Sequence, residues 1–351
     1  MHSFTHVSNH ITMKKIFILT AILASMVPAI AQTADAPSQP RMRKGAQGII
    51  ILGDSCNVRA FSPFNGGSEC MVDYAQVANE YYRNFEGKVN IYCMPVPTAA
   101  AFYGGDQIAD VNRSQAKAID KCFLALDKNV HGVALIPELT KHASEDIYSR
   151  TDHHWAPLGA YYAAQQFARA ADVPFKDLSH YDKRVVRDFV GTMYRFSKCI
   201  DIKNNPEDFY YYVPKGVDYT TTYIEYTLDK SRRNVVKAGT LHEGEFFWSY
   251  KDGSGLAYCT FMGGDTKLTH VSTSTKNGRK LLILKDSFGN AIPGYLFYSF
   301  EDIHVVDCRY FTLNLTNYVK ENGITDILFC NNSAHAATAR TTKYLRNYLV
   351  Q

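Results

Sequence analysis

The sequence predicts an α/β fold in which helices cover both faces of a mostly parallel sheet. Two patterns favour it: short continuous apolar runs, typical of strands buried on both faces, and helical segments that alternate with these runs. The composition agrees, because 46% hydrophobic and 21% charged residues among 351 are typical of a globular protein. A chain of this length can bury a full core without staples.

The first half of the chain contributes three strands and three helices to this prediction. The strands are the apolar runs at residues 48–52, 89–94 and 132–136. The helices cover residues 71–85, 116–126 and 156–171, the last of which is rich in alanine.

The second half repeats the alternation after an interruption. Residues 195–278 are rich in Tyr and Thr, which favours β-hairpins and loops, and we interpret them as an insertion over the sheet. Three more strands are predicted at residues 281–284, 303–306 and 326–330, with helices at 290–300 and 315–322 between them. We therefore expect a single domain over residues 48–351 that carries the insertion.

The N-terminal residues have the pattern of an export signal. A basic start, an apolar run and a small-x-small cleavage pattern at residues 29–31 predict a signal peptide over residues 1–31, with an N-terminal extension at 1–12. The alternative is a buried N-terminal helix. Residues 32–47 are polar and contain Pro, which predicts a flexible lead-in. We therefore expect an exported protein, periplasmic or extracellular.

Charge and hydropathy argue against two classes of protein, nucleic-acid-binding proteins and proteins that span a membrane. The formal net charge of +4 is weak and diffuse, whereas a nucleic-acid protein concentrates basic residues on one face. No apolar span of 18 residues occurs after residue 31, so no stable membrane span is expected in the mature chain.

The eight cysteines become candidates for disulfides if the chain is exported. Cys93, Cys308 and Cys330 lie in apolar runs and are expected to be buried free thiols. Two pairings stay open, Cys56 with Cys70 and Cys199 with Cys259, because pairing cannot be read from sequence. No Cys/His spacing suggests zinc, and we expect no cofactor and no metal.

The first motif with chemical potential is Thr151-Asp152-His153-His154-Trp155, directly before a predicted helix. A carboxylate two residues from His154 can orient the imidazole and stabilise its charged form, as a general base requires. The alternative is a helix N-terminus that Thr151 or Asp152 caps. A metal site at Asp152, His153 and His154 is disfavoured, because adjacent His side chains diverge on a strand or a helix.

Two serines compete as nucleophile. Ser287 follows the strand 281–284 in the run Lys285-Asp286-Ser287, at the carboxyl end of a strand where such sheets bind ligands. Backbone N–H groups at the start of the following helix can face a developing oxyanion. Ser55 follows Gly53-Asp54 after the first strand in a similar way, although a less clear helix start follows it. The alternative for the aspartate and serine at 286–287 is helix capping.

Further polar residues lie at strand ends and are candidates for oxyanion or substrate binding. Asn331 and Asn332 follow the strand 326–330, and an amide there can donate to an oxyanion, with an Asx-turn as the alternative. Lys285, Arg309 and Tyr310 can contact an anionic sugar or an acyl oxygen, with salt bridges or surface roles as the alternative.

At these residues the sequence resembles the DHHW family of exported bacterial proteins. The resemblance covers residues 48–335 and is carried by TDHHW with PLGAYYAA, MPVPTAAAFYGGD, FMGGD, LLILKDSFGNA and VVDCRYF. That family is similar to the SGNH-like proteins that O-acetylate alginate and other exopolysaccharides. The resemblance implies a three-layer α/β/α fold in which the Asp/His motif precedes the Ser motif, as in the circularly permuted members.

The resemblance also implies residue roles: Ser287 as nucleophile, His154 as base, Asp152 as the residue that orients it, and Asn331 or Asn332 in the oxyanion hole. The sequence departs from the superfamily pattern by Lys-Asp-Ser in place of Gly-Asp-Ser and by the Asp-x-His spacing.

The leading hypothesis is an exported serine esterase or O-acetyltransferase that acts on carbohydrate or on an acylated small molecule. The competing hypothesis is a non-catalytic protein that uses the fold to bind a glycan or a partner, since fold does not imply function. Aromatic residues of the 195–278 region are candidates for sugar stacking, although strand-core packing is the favoured interpretation.

Overall fold

A computed structural model describes residues 41–54 and 56–351. The predicted leader, most of the predicted lead-in and Ser55 lie outside the described residues. In chain order the strands are β1 (Met42–Lys44), β2 (Ile50–Leu52), β3 (Arg59–Phe61), β4 (Asn90–Cys93), β5 (Val130–Gly132), β6 (Tyr181–Phe189), β7 (Glu207–Pro214), β8 (Tyr219–Leu228), β9 (Val235–Ala238), β10 (His242–Glu243), β11 (Lys267–Thr273), β12 (Lys280–Lys285), β13 (Asp302–Asp307) and β14 (Asp326–Cys330). The α-helices are α1 (Ser68–Asn84), α2 (Gln115–Leu124), α3 (Ile136–Lys141), α4 (Pro157–Ala171), α5 (Thr192–Ser197), α6 (Ile200–Asn204), α7 (Leu315–Asn322), α8 (Ser333–Ala336) and α9 (Ala339–Val350).

A nine-stranded mixed sheet forms the centre of the molecule. Its order is β10-β8-β11-β13-β12-β14-β4-β5, and β9 pairs with β8 off this path. The five strands from β13 to β5 are mutually parallel, while β11, β8 and β10 continue the sheet as antiparallel strands. The predicted α/β class with a mostly parallel sheet is therefore confirmed.

Helices cover both faces of this sheet because its central strands are apolar on both faces. In β12, Leu281 and Ile283 join one hydrophobic cluster with α4, while Leu282 and Leu284 join a second cluster with α1, α7 and α9. This alternation follows from the two-residue repeat of a strand. Three layers result, and the carboxyl ends of β12, β13 and β14 lie side by side at one edge.

The first predicted strand does not belong to the central sheet. β2 pairs antiparallel with β1 and β3 in a separate three-stranded sheet. Its residues are buried on both faces because Ile51 packs with Met193 and Ile202, while Ile50 joins the large core. A run of buried residues looks the same in either sheet, so the apolar pattern does not reveal its partners.

Other segments differ from the predictions in detail. Met42–Lys44, at the end of the predicted lead-in, forms β1 rather than flexible chain. The region 195–278 is not simply a cover over the sheet, because its strands β8 and β11 extend the sheet itself. The strand predicted at 132–136 lies slightly earlier in the chain, as β5. In place of the helix predicted at 290–300, the chain forms two short 3-10 turns, Ser287–Ala291 and Pro293–Tyr295.

The second of these turns begins at Pro293, which supplies no N–H to a continuing helix.

Within residues 41–54 and 56–351, none of the helices is both long and apolar enough to cross a membrane.

Candidate active site

Ser287 lies two residues after the end of β12, at the first residue of a 3-10 turn over Ser287–Ala291. Asp286 caps this turn, because its Oδ1 accepts a hydrogen bond of 3.0 Å from the backbone N–H of Phe288. The turn packs tightly on the strand: a Cβ at Gly289 would lie 2.4 Å from Cβ of Lys285. The site therefore occupies the carboxyl edge of the parallel strands, where α/β sheets bind ligands.

His154 and Asp152 meet Ser287 at this edge although 133 residues separate the serine from the histidine. His154 Nε2 lies 2.8 Å from Ser287 Oγ, and His154 Nδ1 lies 2.6 Å from Asp152 Oδ2. Both His154 and Asp152 are buried, whereas Ser287 is partly exposed. The hydroxyl, imidazole and carboxylate thus form one continuous hydrogen-bonded line that is open at the serine.

Trp155 joins the histidine loop to the serine turn. Its Nε1 donates to the carbonyl of Phe288 at 2.9 Å. Tyr295 reinforces the junction, because its hydroxyl donates to the carbonyl of Pro157 at the start of α4. These contacts fix the distance between two segments that are remote in sequence.

The second carboxylate oxygen of Asp152 is held by Thr192 of α5. The Thr192 N–H and hydroxyl donate to Asp152 Oδ1 at 2.8 and 2.6 Å. The same hydroxyl lies 2.6 Å from Nδ1 of His153. A Cβ at Gly191 would lie 2.3 Å from Cβ of Asp152, so glycine is required for this close approach. Sequence reasoning missed Thr192, since nothing in its local pattern distinguishes it from an ordinary helix start.

Glu207, the first residue of β7, anchors the loop that precedes Asp152. Its carboxylate accepts from the Ser149 hydroxyl, from the Arg150 N–H at 2.9 Å, and from the Thr151 N–H at 2.7 Å. The Ser149 hydroxyl in turn accepts from the Asp152 N–H at 3.0 Å. One carboxylate therefore orders three consecutive residues, and sequence reasoning did not identify it either.

Tyr258 covers the face of the histidine ring. The Tyr258 and His154 rings stack with centroids 3.7 Å apart and planes inclined by 4°. The Tyr258 hydroxyl donates to the carbonyl oxygens of Ser287 and Phe288, each at 3.0 Å. The ring excludes water from the imidazole, and its hydroxyl holds the serine turn.

Burial and charge set the protonation states of the pair. Burial and the charge of His153 lower the pKa of His154 below its ordinary value of 6.5, and Asp152 opposes this shift without reversing it. Burial raises the pKa of Asp152, but the charges of His154 and His153 outweigh it and hold that pKa well below its ordinary value. At neutral pH the arrangement is a neutral imidazole beside a carboxylate, the form in which His can accept a proton.

Asp152, His153 and His154 form a compact cluster of side chains that could hold a metal ion. Ligand atoms of Asp152, His153 and His154 lie within 4.8 Å of one another, and the two imidazole rings are 3.7 Å apart. The expectation that adjacent His side chains diverge is therefore wrong here, because residues 151–154 form a bend rather than a strand or helix. These atoms already bond to Thr192, to Ser287 and to each other, so a metal ion would have to displace those contacts.

Asn331 and Asn332 lie near the site, but both amides are engaged in holding the fold. Asn331 is fully buried, accepts from the Tyr74 hydroxyl at 2.8 Å and donates to Sγ of Cys308. The Asn332 N–H and Nδ2 both donate to Asp286 Oδ2 at 2.8 Å. These contacts argue against the oxyanion role predicted for the two residues.

Lys285, which is buried, and Arg309, which is partly exposed, belong to one charge network at the strand ends. Lys285 Nζ lies 3.0 Å from Asp307 Oδ2, and Arg309 bonds both Asp307 and Asp265. The charges of Asp307 and Asp265 outweigh burial and raise the pKa of Lys285. Tyr310 lies beside Arg309, whose guanidinium carbon is 5.0 Å from the ring centroid. These contacts form salt bridges at the strand ends, which is the alternative to substrate binding for Lys285 and Arg309.

Ser55, the competing nucleophile, lies outside the described residues. All eight cysteines are free thiols, so neither suggested pairing, Cys56 with Cys70 or Cys199 with Cys259, is formed. Three cysteines are buried as expected: Cys93, Cys308 and Cys330.

Comparisons with known proteins match most of the chain. The family model for DHHW proteins matches residues 33–306. The crystal structure of a DHHW family protein from Eubacterium siraeum is 38% identical, with a TM-score of 0.78, over 89% of this chain and 100% of that one. A comparison with curated proteins found no match.

More distant structures match most of the chain. PatB1 of Bacillus cereus, solved with a sulfonyl adduct, has a TM-score of 0.64 at 18% identity over 87% of this chain and 99% of its own. The O-acetyltransferase domain of Pseudomonas putida AlgJ has a TM-score of 0.45 at 14% identity over 88% and 99% of the two chains. The architecture and the likeness to PatB1 define an SGNH-like fold, and by its family match and its 38% identity to a solved member the chain belongs to the DHHW family.

Proposed function

We propose that the protein is an exported serine esterase or O-acetyltransferase that acts on acyl esters of carbohydrate. The observation that supports it best is the hydrogen-bonded line from Ser287 Oγ through His154 to Asp152, with contacts of 2.8 and 2.6 Å. This combination of hydroxyl, imidazole and carboxylate generates a nucleophile on unrelated folds, so it is recognised by geometry rather than by sequence order. The predicted leader over residues 1–31 supports export.

In the proposed first half-reaction, His154 Nε2 accepts the proton of Ser287 as its oxygen attacks the acyl carbon. The tetrahedral intermediate collapses by breaking the bond to the sugar oxygen, which leaves with the proton from His154. Asp152 stabilises the imidazolium and holds its tautomer, while Thr192 fixes the carboxylate. The product of this step is an acyl ester of Ser287 and a free alcohol.

In the second half-reaction, water or a sugar hydroxyl gives its proton to His154 and attacks the acyl carbon. The bond to Ser287 Oγ breaks, and His154 returns the proton to that oxygen. Water as acceptor makes the protein an esterase, whereas a sugar hydroxyl makes it a transferase. Both outcomes use the same three side chains.

We propose the backbone N–H of Ser287 as an oxyanion donor, in place of the Asn331 and Asn332 amides. Ser287 is the first residue of its 3-10 turn, and the first N–H groups of a helical turn point toward anions at its start. The amides of Asn331 and Asn332 are committed to Cys308 and Asp286.

Reaction with phenylmethylsulfonyl fluoride tests the nucleophile, since the related PatB1 has been solved with a sulfonyl adduct. We expect one sulfonyl group per chain, located on Ser287 by peptide mass spectrometry. We also expect the purified protein to hydrolyse p-nitrophenyl acetate and to lose this activity in Ser287→Ala.

The matched control is Ser55→Ala, which replaces the competing serine. Labelling of Ser55, or unchanged turnover in Ser287→Ala, would reject the assignment of the nucleophile. A chain that neither labels nor turns over any acetyl ester would favour the alternative of a non-catalytic binding protein.

A further inference from the structure

A cleft of about 640 Å³ lies beside the catalytic loop, and neither Ser287 nor His154 lines it. One wall is the two-stranded sheet of β6 and β7. The other wall is formed by residues 145–150 and by the start of α4 at residues 156–158. Its size is typical of a site that encloses a small ligand.

The wall from β7 presents an ordered aromatic ring. Tyr210 is 38% exposed, although large apolar side chains are mostly buried in this protein. Lys183 Nζ lies 3.9 Å from the centroid of its ring, and its hydroxyl donates to Asp208 Oδ2 at 3.1 Å. Phe209 and Tyr212 also line the cleft. A ring held at both its face and its hydroxyl offers a rigid surface at little cost in side-chain entropy.

The charge of the lining indicates which ligands suit the cleft. The acidic residues outnumber the basic ones, five to two: Glu145, Asp146, Asp188, Glu207 and Asp208 against Arg150 and Lys183. Asp146 and Asp208 are solvent-exposed at this surface. A concave surface with this excess of negative charge repels polyanions and attracts cations.

The cleft is coupled to the candidate active site by direct contacts. The Phe209 ring lies 6.3 Å from the Tyr258 ring, which stacks on His154. Glu207 lines the cleft and also orders residues 149–151 before Asp152. A ligand held against Phe209 is therefore separated from the imidazole by two aromatic rings, those of Phe209 and Tyr258.

We propose that this cleft binds the glycan portion of the substrate, and that it selects sugars without acidic groups and favours those with free amino groups. The pyranose packs on the face of Tyr210 opposite Lys183, while hydroxyl and ammonium groups donate to the surrounding carboxylates. Its assignment as a substrate subsite rests on the proposed function, whereas the binding itself does not.

Calorimetric titration of the full chain carrying Ser287→Ala tests the binding without turnover. The probes are tetraglucosamine, its fully N-acetylated counterpart, and tetragalacturonate. We expect the cationic probe to bind about three- to tenfold more tightly than the neutral one, from one or two added charge contacts. We expect the anionic probe to bind weakest. Equal affinity for all three, tighter binding of the anion, or binding of none would overturn the proposal.

Two variants locate the site. Tyr210→Ala is expected to weaken binding about tenfold, the loss associated with one aromatic stacking partner. Trp248→Ala removes another exposed aromatic that lies outside the cleft, and it is expected to leave the affinity unchanged. Equal losses in both variants would overturn the location.

The variant Asp146→Asn tests the charge argument and should reduce the preference for the amino sugar. The control variant is Asp127→Asn, which changes an exposed aspartate that pairs with Arg83 outside the cleft. An unchanged preference in Asp146→Asn would overturn the charge argument.

A kinetic comparison separates the two proposals. In the Tyr210→Ala chain with Ser287 intact, kcat/KM for an acetylated tetrasaccharide should fall at least tenfold further than kcat/KM for p-nitrophenyl acetate, through KM. An equal fall for both substrates would overturn the subsite. If the parent chain hydrolyses neither ester but still binds tetraglucosamine, the proposed catalysis fails and the binding site stands.

Discussion

Two Asp–His pairs reach the Ser287 turn, and they have the same side chains but different environments. In one pair, Asp152 Oδ2 lies 2.6 Å from His154 Nδ1; in the other, Asp286 Oδ2 lies 2.8 Å from His335 Nδ1. The side chain of His154 is 8% exposed, whereas that of His335 is 47% exposed. Both histidines belong to the described residues, and of the two only His154 contacts the hydroxyl of Ser287.

The environments push the two imidazoles in opposite directions. Burial lowers the pKa of His154, while the hydrogen bond to Asp286 raises the pKa of His335. The carboxylate of Asp286 accepts hydrogen bonds from the backbone N–H groups of Phe288 and Asn332 and also contacts His335. Its role is therefore to hold the backbone of the site, and it does not orient the histidine that contacts Ser287. A carboxylate beside a histidine therefore indicates a general base only where burial keeps the ring neutral and its second nitrogen reaches a hydroxyl.

Breaking the first pair should have the largest effect. In Asp152→Asn the amide oxygen can keep the bonds from Thr192, while its NH₂ group faces His154 and favours the wrong tautomer. We expect kcat for p-nitrophenyl acetate to fall about 10³–10⁴-fold, the scale found when a triad carboxylate is replaced by its amide. Initial rates measure it, with Asp127→Asn as control, and a fall of less than tenfold would contradict the role.

Breaking the second pair should act mainly on stability. Asp286 is fully buried and accepts from Phe288, Asn332 and His335, so Asp286→Asn turns an NH₂ group toward donors. We expect the free energy of unfolding to fall by about 1–3 kcal/mol, the cost of buried groups left unpaired. Urea denaturation measures this, and unchanged stability together with lost activity would instead make Asp286 a catalytic residue.

Weakening the support of the first pair should have an intermediate effect. Thr192→Val removes the hydroxyl that bonds Asp152 Oδ1 and His153 Nδ1 but keeps the backbone N–H contact. We expect kcat to fall about tenfold, the equivalent of one hydrogen bond. Thr192→Ser restores the hydroxyl and should recover most of the rate. Equal rates in Val and Ser variants would show that the hydroxyl does not position the carboxylate.

The pH dependence should report the two pairs separately. Neutral His154 is the active form and its pKa lies below 6.5, so activity is expected to be full at neutral pH and to fall only as pH drops below 6.5. The pKa of His335 is raised, so its NMR titration should have a midpoint above 6.5. An acid limb of kcat/KM centred above 6.5 would contradict the assignment of His154 as the base.

Removing the second imidazole should have the smallest effect. His335→Gln leaves Asp286 with its two bonds from Asn332 and one from Phe288. We expect hydrolysis within about twofold of the parent and a loss of about 0.5–1.5 kcal/mol in stability, that of one hydrogen bond. A loss of rate as large as that of Asp152→Asn would mean that the pairs are not distinct.

Local patterns in the sequence predicted the elements that carry the site. The apolar run before Ser287 predicted β12, and the Asp-x-His motif before a helix predicted the segment ahead of α4. The same patterns placed β2 in the wrong sheet, and they assigned oxyanion roles to Asn331 and Asn332 that their contacts argue against. The two cases share a cause, since apolar runs and strand-end amides do not identify their partners.

The sequence by itself determined the α/β class, the order of the motifs and the chemistry available at 152–154 and 287, because periodicity and residue type are local properties. The tertiary structure alone decided that His154 rather than His335 meets Ser287, that Thr192 and Glu207 support the histidine loop, and that an acidic aromatic cleft lies beside it. These features depend on strand order and burial, which set distances between residues far apart in the chain.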